Sequence, residues 1–187
     1  MNKIVIISAP SGTGKTTLIN RLMKNSDLRL EFSISACTRQ PREGEIDGVN
    51  YYFLSVDDFT RRISQNEFVE WQEVYQGRYY GTLNSEVDRI FNKGNNIIFD
   101  VDVEGGINLK KIFGNNAISI FIQPPSVEEL RNRLINRATD SIEEIEKRVN
   151  KAEQEISRSK YFDTIVTNDI LDRADQELYS KVKGFID

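Results

Sequence analysis

Histidine is absent from the sequence, and cysteine occurs once, at Cys37. Without histidine the chain has no Ser-His or Cys-His nucleophilic pair and no histidine-ligated metal. A single cysteine excludes an internal disulfide and a multi-cysteine zinc site, which fits a reducing cytosol. The chemistry of the protein must therefore rest on carboxylates, hydroxyls, lysine, arginine and the backbone.

Long apolar runs and an excess of positive charge are also missing. No stretch reaches the ~20 apolar residues of a membrane-spanning helix, and the apolar stretch before Pro10 is too short for a signal peptide. The formal net charge of −4 gives no global basic field that would recruit nucleic acid or an anionic membrane. We therefore expect a cytoplasmic protein with no nucleic-acid or membrane partner, and the sequence identifies no protein partner.

Short apolar runs alternate with amphipathic stretches along the 187 residues. This alternation predicts a single α/β domain with a parallel sheet crossed by helices. Core strands are expected at Ile4–Ala9, Phe32–Ser35, Asn96–Val101, Ala117–Ile122 and Thr164–Val166. Helices are expected from about Lys15 to Lys24, Ser85 to Lys93, Val127 to Arg137, Ile142 to Lys160 and Ile170 to Ile186. A capping-box pattern, Ser141 with Glu144, begins the fourth helix.

Two segments interrupt this alternation. The segment 38–82 is rich in Arg, Glu, Gly and Tyr, and its β-type runs Tyr51–Leu54 and Phe68–Trp71 flank a small helix near Val56–Gln65. We expect it to form an insert with its own small sheet. The second segment, Asn132–Arg148, carries many charges and is interpreted as a charged hairpin between two helices. Both are candidates for moving parts.

The stretch APSGTGKTT at 9–17 follows the first predicted strand and comes within one residue of the phosphate-loop pattern G-x-x-x-x-G-K-[ST]. Gly12 and Gly14 let the chain curl, so that consecutive backbone N–H groups at the start of a helix point into one space. Lys15 places a cation on the terminal phosphates, and Thr16 offers a hydroxyl to Mg²⁺. The spacing predicts a working phosphate loop; the alternative is a glycine-rich turn that binds nothing.

Ala9 stands where the pattern has its first glycine. Pro10 follows it, and a residue before proline is driven to an extended conformation with negative φ. Alanine adopts that conformation without strain. We therefore expect the replacement to be tolerated, provided that nothing crowds the Ala9 methyl group.

Arg39 and Arg42 surround a proline and precede glycines, which suits a fork that grips a second anion. For two arginines alone, a solvated basic turn is the better interpretation. The whole run SACTRQPREGEIDGVNYYF at 35–53, however, closely resembles the guanylate kinase signature T-[ST]-R-x-P-R-x-G-E-x-x-G-x-x-Y-x-F. Further elements agree in the right order: EFVEW at 67–71, YYGT at 79–82, DVDVEG at 100–105 and PPS at 124–126.

The resemblance implies a phosphate-loop kinase core of parallel-sheet type, with a small mixed-sheet insert for GMP and a helical lid. The core would comprise about 1–34, 84–125 and 160–187, the insert about 35–83 and the lid about 126–159. The implied reaction moves the γ-phosphoryl group of ATP, bound with Mg²⁺, to GMP and also to dGMP. ADP and GDP are the products with GMP.

The resemblance also assigns roles to individual positions. ATP would be bound by Ala9, Pro10, Ser11, Gly12, Thr13, Gly14, Lys15, Thr16, Thr17 and, at the adenine together with Asp169, Asn168. The GMP phosphate would be held by Arg39, Arg42, Tyr51 and Tyr80. The guanine would be faced by Ser35, Glu70, Thr82 and Asp102, with Asp100 near both nucleotides and the Mg²⁺. The catalytic cations would be Lys15, Arg133, Arg137 and Arg148.

The chemistry of guanine agrees with this assignment. Guanine presents two donors, N1–H and the 2-amino group, and one acceptor, O6. A carboxylate such as Glu70 accepts both donors, while a hydroxyl such as Ser35 or Thr82 donates to O6. The GMP phosphate, with a second pKa of about 6, is mostly dianionic at neutral pH and needs no general base. Catalysis then consists of positioning and charge neutralisation.

The residues leave three other interpretations open. A non-catalytic guanylate-kinase-like module that grips phosphorylated or acidic peptides would be expected to lose Lys15, Thr16 or the lid arginines. A kinase for another nucleotide is the second, and a phosphate-loop GTPase the third, although TND at 167–169 is not the Asn-Lys-x-Asp base-reading element. Asn168 also fits a plain helix N-cap. The chain departs from the family pattern at Ala9, at Cys37 (often Thr) and at Ala138 (often Gly). The alanine at 138 bears on how freely the lid bends.

Overall fold

The structure is a computed structural model that describes residues 2–136 and 141–187. Within them the chain forms nine strands and seven α-helices. The strands are β1 (Ile4–Ser8), β2 (Leu30–Phe32), β3 (Ala36–Cys37), β4 (Tyr52–Phe53), β5 (Phe68–Tyr75), β6 (Arg78–Leu83), β7 (Asn96–Asp100), β8 (Ala117–Gln123) and β9 (Thr164–Thr167). The helices are α1 (Lys15–Leu22), α2 (Val56–Ser64), α3 (Asn84–Asn92), α4 (Val103–Phe113), α5 (Val127–Asn136), α6 (Ile142–Ser157) and α7 (Leu171–Ile186).

The larger sheet contains five parallel strands in the order β2-β7-β1-β8-β9. Its central strands are apolar runs buried on both faces, as parallel sheets require. One face packs on α1 and α7, through residues such as Leu18 and Leu178. The other packs on α3 and α4, through residues such as Ile90 and Leu109. The predicted α/β class with a parallel core is confirmed, and the carboxyl ends of β1 and β7 lie side by side, with Ile7 opposite Asp100.

The smaller sheet is mixed and has the order β4-β3-β6-β5. Strands β3 and β4 run parallel, whereas β3 and β5 are both antiparallel to β6. Helix α2 covers this sheet because Phe59, which is fully buried, stacks on Phe68 at 4.3 Å and on Tyr79 at 5.4 Å between ring centroids. The predicted small sheet with its helix is confirmed. We call the unit 35–83 the insert, as in the predicted division of the chain.

Helices α5 and α6 pack against each other along an apolar seam, which contains Leu130, Leu134, Ile145, Val149 and Ala152. The expected capping box is present, since Ser141 Oγ accepts from the Glu144 amide at 3.3 Å and Glu144 Oε2 accepts from the Ser141 amide at 3.2 Å. The interpretation of Asn132–Arg148 as a hairpin between two helices is wrong, because its described residues other than Ser141 belong to α5 and α6 themselves. Arg137 and Ala138 lie outside the described residues.

One other predicted element is displaced, and one helix was not predicted. The strand expected at Phe32–Ser35 lies at Leu30–Phe32, because the chain turns towards the insert and the Ile34 amide donates to the side chain of Glu86. Helix α4 was not predicted, since two adjacent glycines lower helix propensity. Gly106 is nevertheless required there: a Cβ would lie 2.6 Å from Ser8 Oγ, so the glycine lets α4 pack directly on β1. None of the described helices is both long enough and apolar enough to cross a membrane.

Candidate active site

The phosphate loop lies between β1 and α1. Gly12 and Gly14 have φ values of 95° and 90°, a region that glycine enters at no steric cost. The buried Thr13 side chain tightens the turn, since its hydroxyl donates to the Pro10 carbonyl at 2.8 Å. Gly14 is the N-cap of α1 and offers no side-chain cap, so the first N–H groups of the helix remain available to an anion.

Asn168 holds the loop from the far side. Its side chain is 5% exposed, and Nδ2 donates to the Thr13 carbonyl at 2.6 Å. A Cβ at Gly14 would lie 2.6 Å from the same nitrogen, so the loop and Asn168 fit closely. The alternative of a plain N-cap is wrong, because the N-cap of α7 is Ile170 and receives no side-chain cap. The expected contact of Asn168 with adenine stays a prediction.

Ala9 has a negative φ, as expected. Among the described non-glycine residues, the positive φ values occur at Arg29 and Asn66. Its exposed fraction is 8%, and its methyl group belongs to the core cluster that includes Val5 and Leu18. The side chain therefore packs into the protein interior. This geometry explains why alanine is compatible with the loop.

Lys15 and Asp100 form an ion pair across the carboxyl ends of β1 and β7. Lys15 Nζ also lies 3.4 Å from the carbonyl of Val101. Asp100 and the exposed hydroxyl of Thr16 provide hard oxygen donors near this lysine, which is the donor chemistry that Mg²⁺ prefers. No group of three or more acidic, histidine or cysteine side chains with metal-binding geometry occurs in the described chain. Asp100 and Thr16 thus supply two oxygen donors, and the expected Mg²⁺ stays a prediction.

A cavity of about 270 Å³ lies between the insert and the edge of the core sheet. Its walls include most of the residues expected to bind GMP, namely Ser35, Tyr51, Glu70, Tyr80, Asp100 and Asp102. Asp102 is the N-cap of α4, since Oδ1 accepts from the Gly105 amide at 2.8 Å. The carboxylates therefore reach the cavity from two sides, Glu70 from the insert and Asp100 and Asp102 from the core.

Glu70 and Thr82 are cross-strand partners on β5 and β6. The fully buried Thr82 hydroxyl donates to Glu70 Oε1 at 2.9 Å, so its one proton is already committed. Thr82 thus orients the carboxylate, and the expected hydrogen bond from Ser35 or Thr82 to guanine O6 stays a prediction. Burial raises the pKa of Glu70; the Thr82 hydrogen bond opposes that rise, and the nearby negative charge of Asp102 adds to it.

Arg39 is paired with Glu45 and lies over the rings of Tyr51 and Phe53. Its guanidinium donates to both Glu45 oxygens, at 2.5 and 2.6 Å, and lies 4.7 Å from the centroid of the Tyr51 ring. These hydrogen bonds, together with one from the Arg42 amide at 2.7 Å, hold the pKa of Glu45 at about 2. The Tyr51 and Tyr80 rings meet edge to face at 6.3 Å. Arg39, Tyr51 and Tyr80 are therefore brought together, while the Arg42 side chain is exposed.

The predicted lid arginines have different surroundings. Arg148 reaches the phosphate loop, since its Nη1 donates to Ser11 Oγ at 3.1 Å. Arg133 Nε donates to Glu129 on its own helix at 2.9 Å. Arg137 lies outside the described residues. Of the two described arginines, Arg148 is the one that these contacts connect to the loop.

The two cavities also contain polar residues that the motifs did not indicate, namely Gln72, Arg78, Lys151 and Glu155. Gln72 Nε2 donates to Asp102 Oδ2 at 3.1 Å, from the insert to the core. Gln72 could have been predicted from strand alternation, because it lies two residues after Glu70 and so on the same face of β5. Glu155 lines the cleft above the phosphate loop, 3.7 Å from Lys151, and its pKa is raised by burial. Its place depends on how α6 packs, which no local pattern reveals.

A second cavity, of about 460 Å³, lies over the whole phosphate loop 9–17. It shares four wall residues with the first cavity: Tyr51, Asp100, Val101 and Asp102. A ligand phosphate on the loop and a ligand phosphate beside Tyr51 would therefore meet at this common wall.

Comparison with known proteins supports the same interpretation. The family model of guanylate kinase matches residues 1–186. The curated guanylate kinase of Porphyromonas gingivalis is 53% identical over 186 residues, which cover 100% of this chain and 99% of that protein. The chain belongs to the guanylate kinase family. A guanylate kinase of Bacteroides fragilis is 50% identical over 184 residues, covering 98% of this chain and 90% of the relative.

A solved guanylate kinase has the same fold. The crystal structure of guanylate kinase from Anaplasma phagocytophilum aligns with a TM-score of 0.75 at 27% sequence identity, covering 98% of this chain and 85% of that chain. The guanylate kinase resemblance inferred from the motifs is thus confirmed over the full length of the chain.

Proposed function

We infer that the chain transfers the γ-phosphoryl group of ATP to GMP, giving ADP and GDP, and that dGMP is a second acceptor. The observation that carries this inference is the wall shared by two cavities, one over a phosphate loop and one lined by guanine-compatible groups. Two nucleotides bound in these cavities would bring their phosphates together at Tyr51 and Asp100. Membership of the guanylate kinase family supports the same reaction.

The ATP side uses the loop 9–17. The open N–H groups at the start of α1 would bind the phosphates, and Lys15 would exchange Asp100 for the terminal phosphates when ATP enters. Thr16 and Asp100 would hold Mg²⁺, which supplies positive charge to the phosphates when it is bound. Asn168 would support the loop through Thr13 and lie near the adenine.

The GMP side uses the insert. Glu70, oriented by Thr82, would accept N1–H and the 2-amino group of guanine, and Ser35 would donate to O6. Arg39, Arg42, Tyr51 and Tyr80 would hold the GMP phosphate. Because this phosphate is mostly dianionic at neutral pH, it attacks without a general base.

Arginine charge and the exclusion of water would complete the site. Arg148 already contacts the loop at Ser11, and we propose Arg133 and Arg137 as the further cations that gather on the transferring phosphoryl group. The α5–α6 pair and the insert would close over the nucleotides, since an open site that holds ATP could hydrolyse it. The pair would then act as a lid.

A non-catalytic peptide-binding module is not favoured. Such a module has no need of a phosphate loop, yet Lys15 and Thr16 are both in place here and Arg148 contacts the loop. The substrates themselves suggest the cytoplasm as the place of action, with ATP and GMP as the partners.

A coupled assay of ADP release from ATP and Mg²⁺ tests the function. GMP, dGMP, AMP, CMP and UMP are presented separately to the wild type and to Lys15→Ala. We expect turnover with GMP and dGMP, and loss of most activity in Lys15→Ala, which still binds GMP in calorimetry. Equal turnover with AMP, CMP or UMP would overturn the guanine assignment.

A further inference from the structure

Glu86, on α3, is a charged residue that is 1% exposed, and the proposed reaction does not use it. Its carboxylate accepts four hydrogen bonds, each 2.8 Å long. Oε1 accepts from the Ile34 amide and from Arg89 Nη2, and Oε2 accepts from the Tyr52 hydroxyl and from Arg89 Nε. These four donors match the approximately four lone-pair positions of a carboxylate. The group is therefore fully satisfied in the interior.

Two of the donors lie next to residues of the GMP cavity. Ile34 directly precedes Ser35, and Tyr52 directly follows Tyr51. Ser35 and Tyr51 both line the cavity. The backbone also joins them, since the Tyr52 amide donates to the Ser35 carbonyl at 2.9 Å. One carboxylate thus ties down the starts of β3 and β4, the two parallel strands that bring these residues to the nucleotide.

The hydrogen bond of Tyr52 also fixes the direction in which the neighbouring Tyr51 side chain points. Successive side chains of a strand point to opposite faces, so a Tyr52 side chain drawn to Glu86 leaves Tyr51 facing the other way. The Tyr51 ring lies there against Arg39, at 4.7 Å, and against Tyr80. The Tyr52–Glu86 hydrogen bond therefore favours the rotation of β4 that presents Tyr51 to the cavity.

The carboxylate is itself anchored to the core. Arg89, which donates to both oxygens of Glu86, also pairs with Glu31 on β2. Glu31 in turn accepts from Lys93 Nζ at 2.7 Å and from Asn95 Nδ2 at 2.8 Å. Burial acts to raise the pKa of Glu86, but the hydrogen bonds from Arg89, Ile34 and Tyr52 outweigh it and lower the pKa. The residue is thus an ionised, fixed point on the core side.

We propose that Glu86 is a positioning residue for the GMP site, which holds the strands of Ser35 and Tyr51 in their binding arrangement without touching the nucleotide. The proposal rests on the proposed function. Loosening these strands lowers the fraction of molecules that are competent to bind GMP, so the apparent GMP affinity falls in proportion. In the described part of the chain, the hydrogen bonds and ion pairs of Glu86 and Arg89 go to residues outside the loop 9–17, so we expect ATP affinity to stay unchanged.

Tyr52→Phe tests the proposal with the smallest change, because it removes one hydroxyl and leaves Glu86 paired with Arg89. Tyr179→Phe is the matched control: the Tyr179 hydroxyl donates to Asp27 at the same distance, 2.8 Å, but far from the insert. A hydrogen bond to a charged group contributes a free energy that corresponds to a change of about tenfold or more in an equilibrium constant. We expect Tyr52→Phe to raise the KM and Kd for GMP by about that factor, with kcat at saturating GMP and the Kd of an ATP analogue unchanged.

Glu86→Gln gives a second measurement. The amide keeps the size of the side chain but turns a donor towards a donor, so we expect a larger rise of the GMP Kd than in Tyr52→Phe. Calorimetric Kd values for GMP and for the ATP analogue are measured at a temperature at which all variants are folded. Wild type that binds no GMP would refute the proposed function. The positioning role alone would be refuted if wild type binds GMP and both variants have a GMP Kd within twofold of the wild-type value. The same holds if neither variant has a higher GMP Kd than Tyr179→Phe.

Discussion

The side-chain amide of Asn168 donates to the carbonyl oxygen of Thr13 at 2.6 Å, which joins the turn after β9 to the phosphate loop after β1. The two residues are 155 positions apart in the chain, and the bond is buried. Thr13 lies between the two glycines of the loop. By holding the Thr13 carbonyl, Asn168 helps to set the direction of the backbone N–H groups of the loop. A residue expected to contact adenine thus also supports the part of the loop that binds phosphate.

Asn168→Ala should weaken ATP binding by leaving the Thr13 carbonyl without a buried partner, which costs about 1–3 kcal/mol. We expect the Kd of an ATP analogue to rise about tenfold, and more in Asn168→Asp, where a carboxylate faces the carbonyl oxygen. The Kd for GMP should not change. Asn25→Ala is the control, because the Asn25 amide also donates to backbone carbonyls, of Arg21 and Leu22, but away from the loop. Equal losses of ATP affinity in both variants would contradict this role.

Ala9→Gly should leave the kinetics almost unchanged. The Ala9 methyl group packs in the core cluster and φ is already negative, so glycine gives the phosphates no additional room. We expect KM for ATP and kcat to change by less than about threefold, an effect under ~1 kcal/mol. Removal of the methyl should slightly lower Tm, measured by calorimetry. A tenfold gain in activity would show that the methyl group obstructs ATP.

Local patterns in the sequence were enough to predict the phosphate loop, the central strands of the core sheet and the capping box at Ser141. Each of these depends on residues close in the chain: apolar runs, glycine spacing, or a serine three residues before a glutamate. The motifs of the insert also placed Glu70 and Tyr51 at one cavity, because strands of a small sheet bring them together.

Features decided by tertiary contacts could not be predicted in this way. Helix α4 forms in spite of two glycines, because Gly106 allows close packing on β1. Strand β2 ends at Phe32, and the side chain of Glu86 on α3 then accepts a hydrogen bond from the Ile34 amide. Thr82 donates to Glu70, its cross-strand partner, which is a consequence of strand register. In each case the partner lies more than ten positions away.

Arg148→Ala should mainly lower kcat. The Arg148 guanidinium already contacts the loop at Ser11, and a positive charge supplied to a transferring phosphoryl group is worth roughly 10³-fold or more in comparable systems. We expect a loss of about that size in single-turnover phosphoryl transfer, with little change in KM for GMP. Arg131→Ala is the control, because it removes an arginine that pairs with Glu146 between the same two helices rather than with the loop. We expect its kcat to stay close to that of wild type. A kcat for Arg148→Ala that stays within threefold of wild type would remove this arginine from the catalytic group.

Glu31 should make stability depend on pH. Burial acts to raise its pKa, but hydrogen bonds from Lys93, Asn95 and Arg89 lower it to about 2, from an ordinary 4.5. Because the folded pKa is depressed, the stabilisation is complete above pH 4.5 and is lost as pH falls towards 2. Its upper limit is about 3 kcal/mol, from 1.36 kcal/mol per pKa unit, and partial exposure reduces it.

The free energy of unfolding in urea, measured at pH 7, 5 and 3, tests this effect. Glu31→Gln should be less stable than wild type at pH 7 and 5, and the difference should shrink at pH 3, where the wild-type carboxylate gains a proton more readily on unfolding. Glu153→Gln, at an exposed position of α6, serves as the control. A stability difference for Glu31→Gln that is constant with pH would show that the carboxylate charge does not contribute.

Glu70→Ala should weaken the use of GMP and leave ATP binding alone. In the proposed complex, its carboxylate accepts both guanine donors inside a cavity, and an unpaired buried polar group costs roughly 1–3 kcal/mol, more when the lost partner was charged. We expect kcat/KM for GMP to fall about 10²-fold or more. Glu70→Gln should be intermediate, because its amide keeps one acceptor but turns a donor against a donor. Both variants should narrow the preference for GMP over IMP, which lacks the 2-amino group.

The pH dependence of that preference separates the carboxylate from the nucleotide phosphate. GMP and IMP carry the same phosphate, so its titration cancels in the ratio of their kcat/KM values. Burial raises the pKa of Glu70, and protonation removes an acceptor; the ratio should therefore fall as pH is lowered into the range of that raised pKa. It should stay flat in Glu70→Gln. Glu73→Ala, an exposed glutamate on the same strand, should match wild type throughout. If Glu70→Ala lost less than about threefold on GMP, Glu70 would be a structural charge and guanine would be recognised elsewhere.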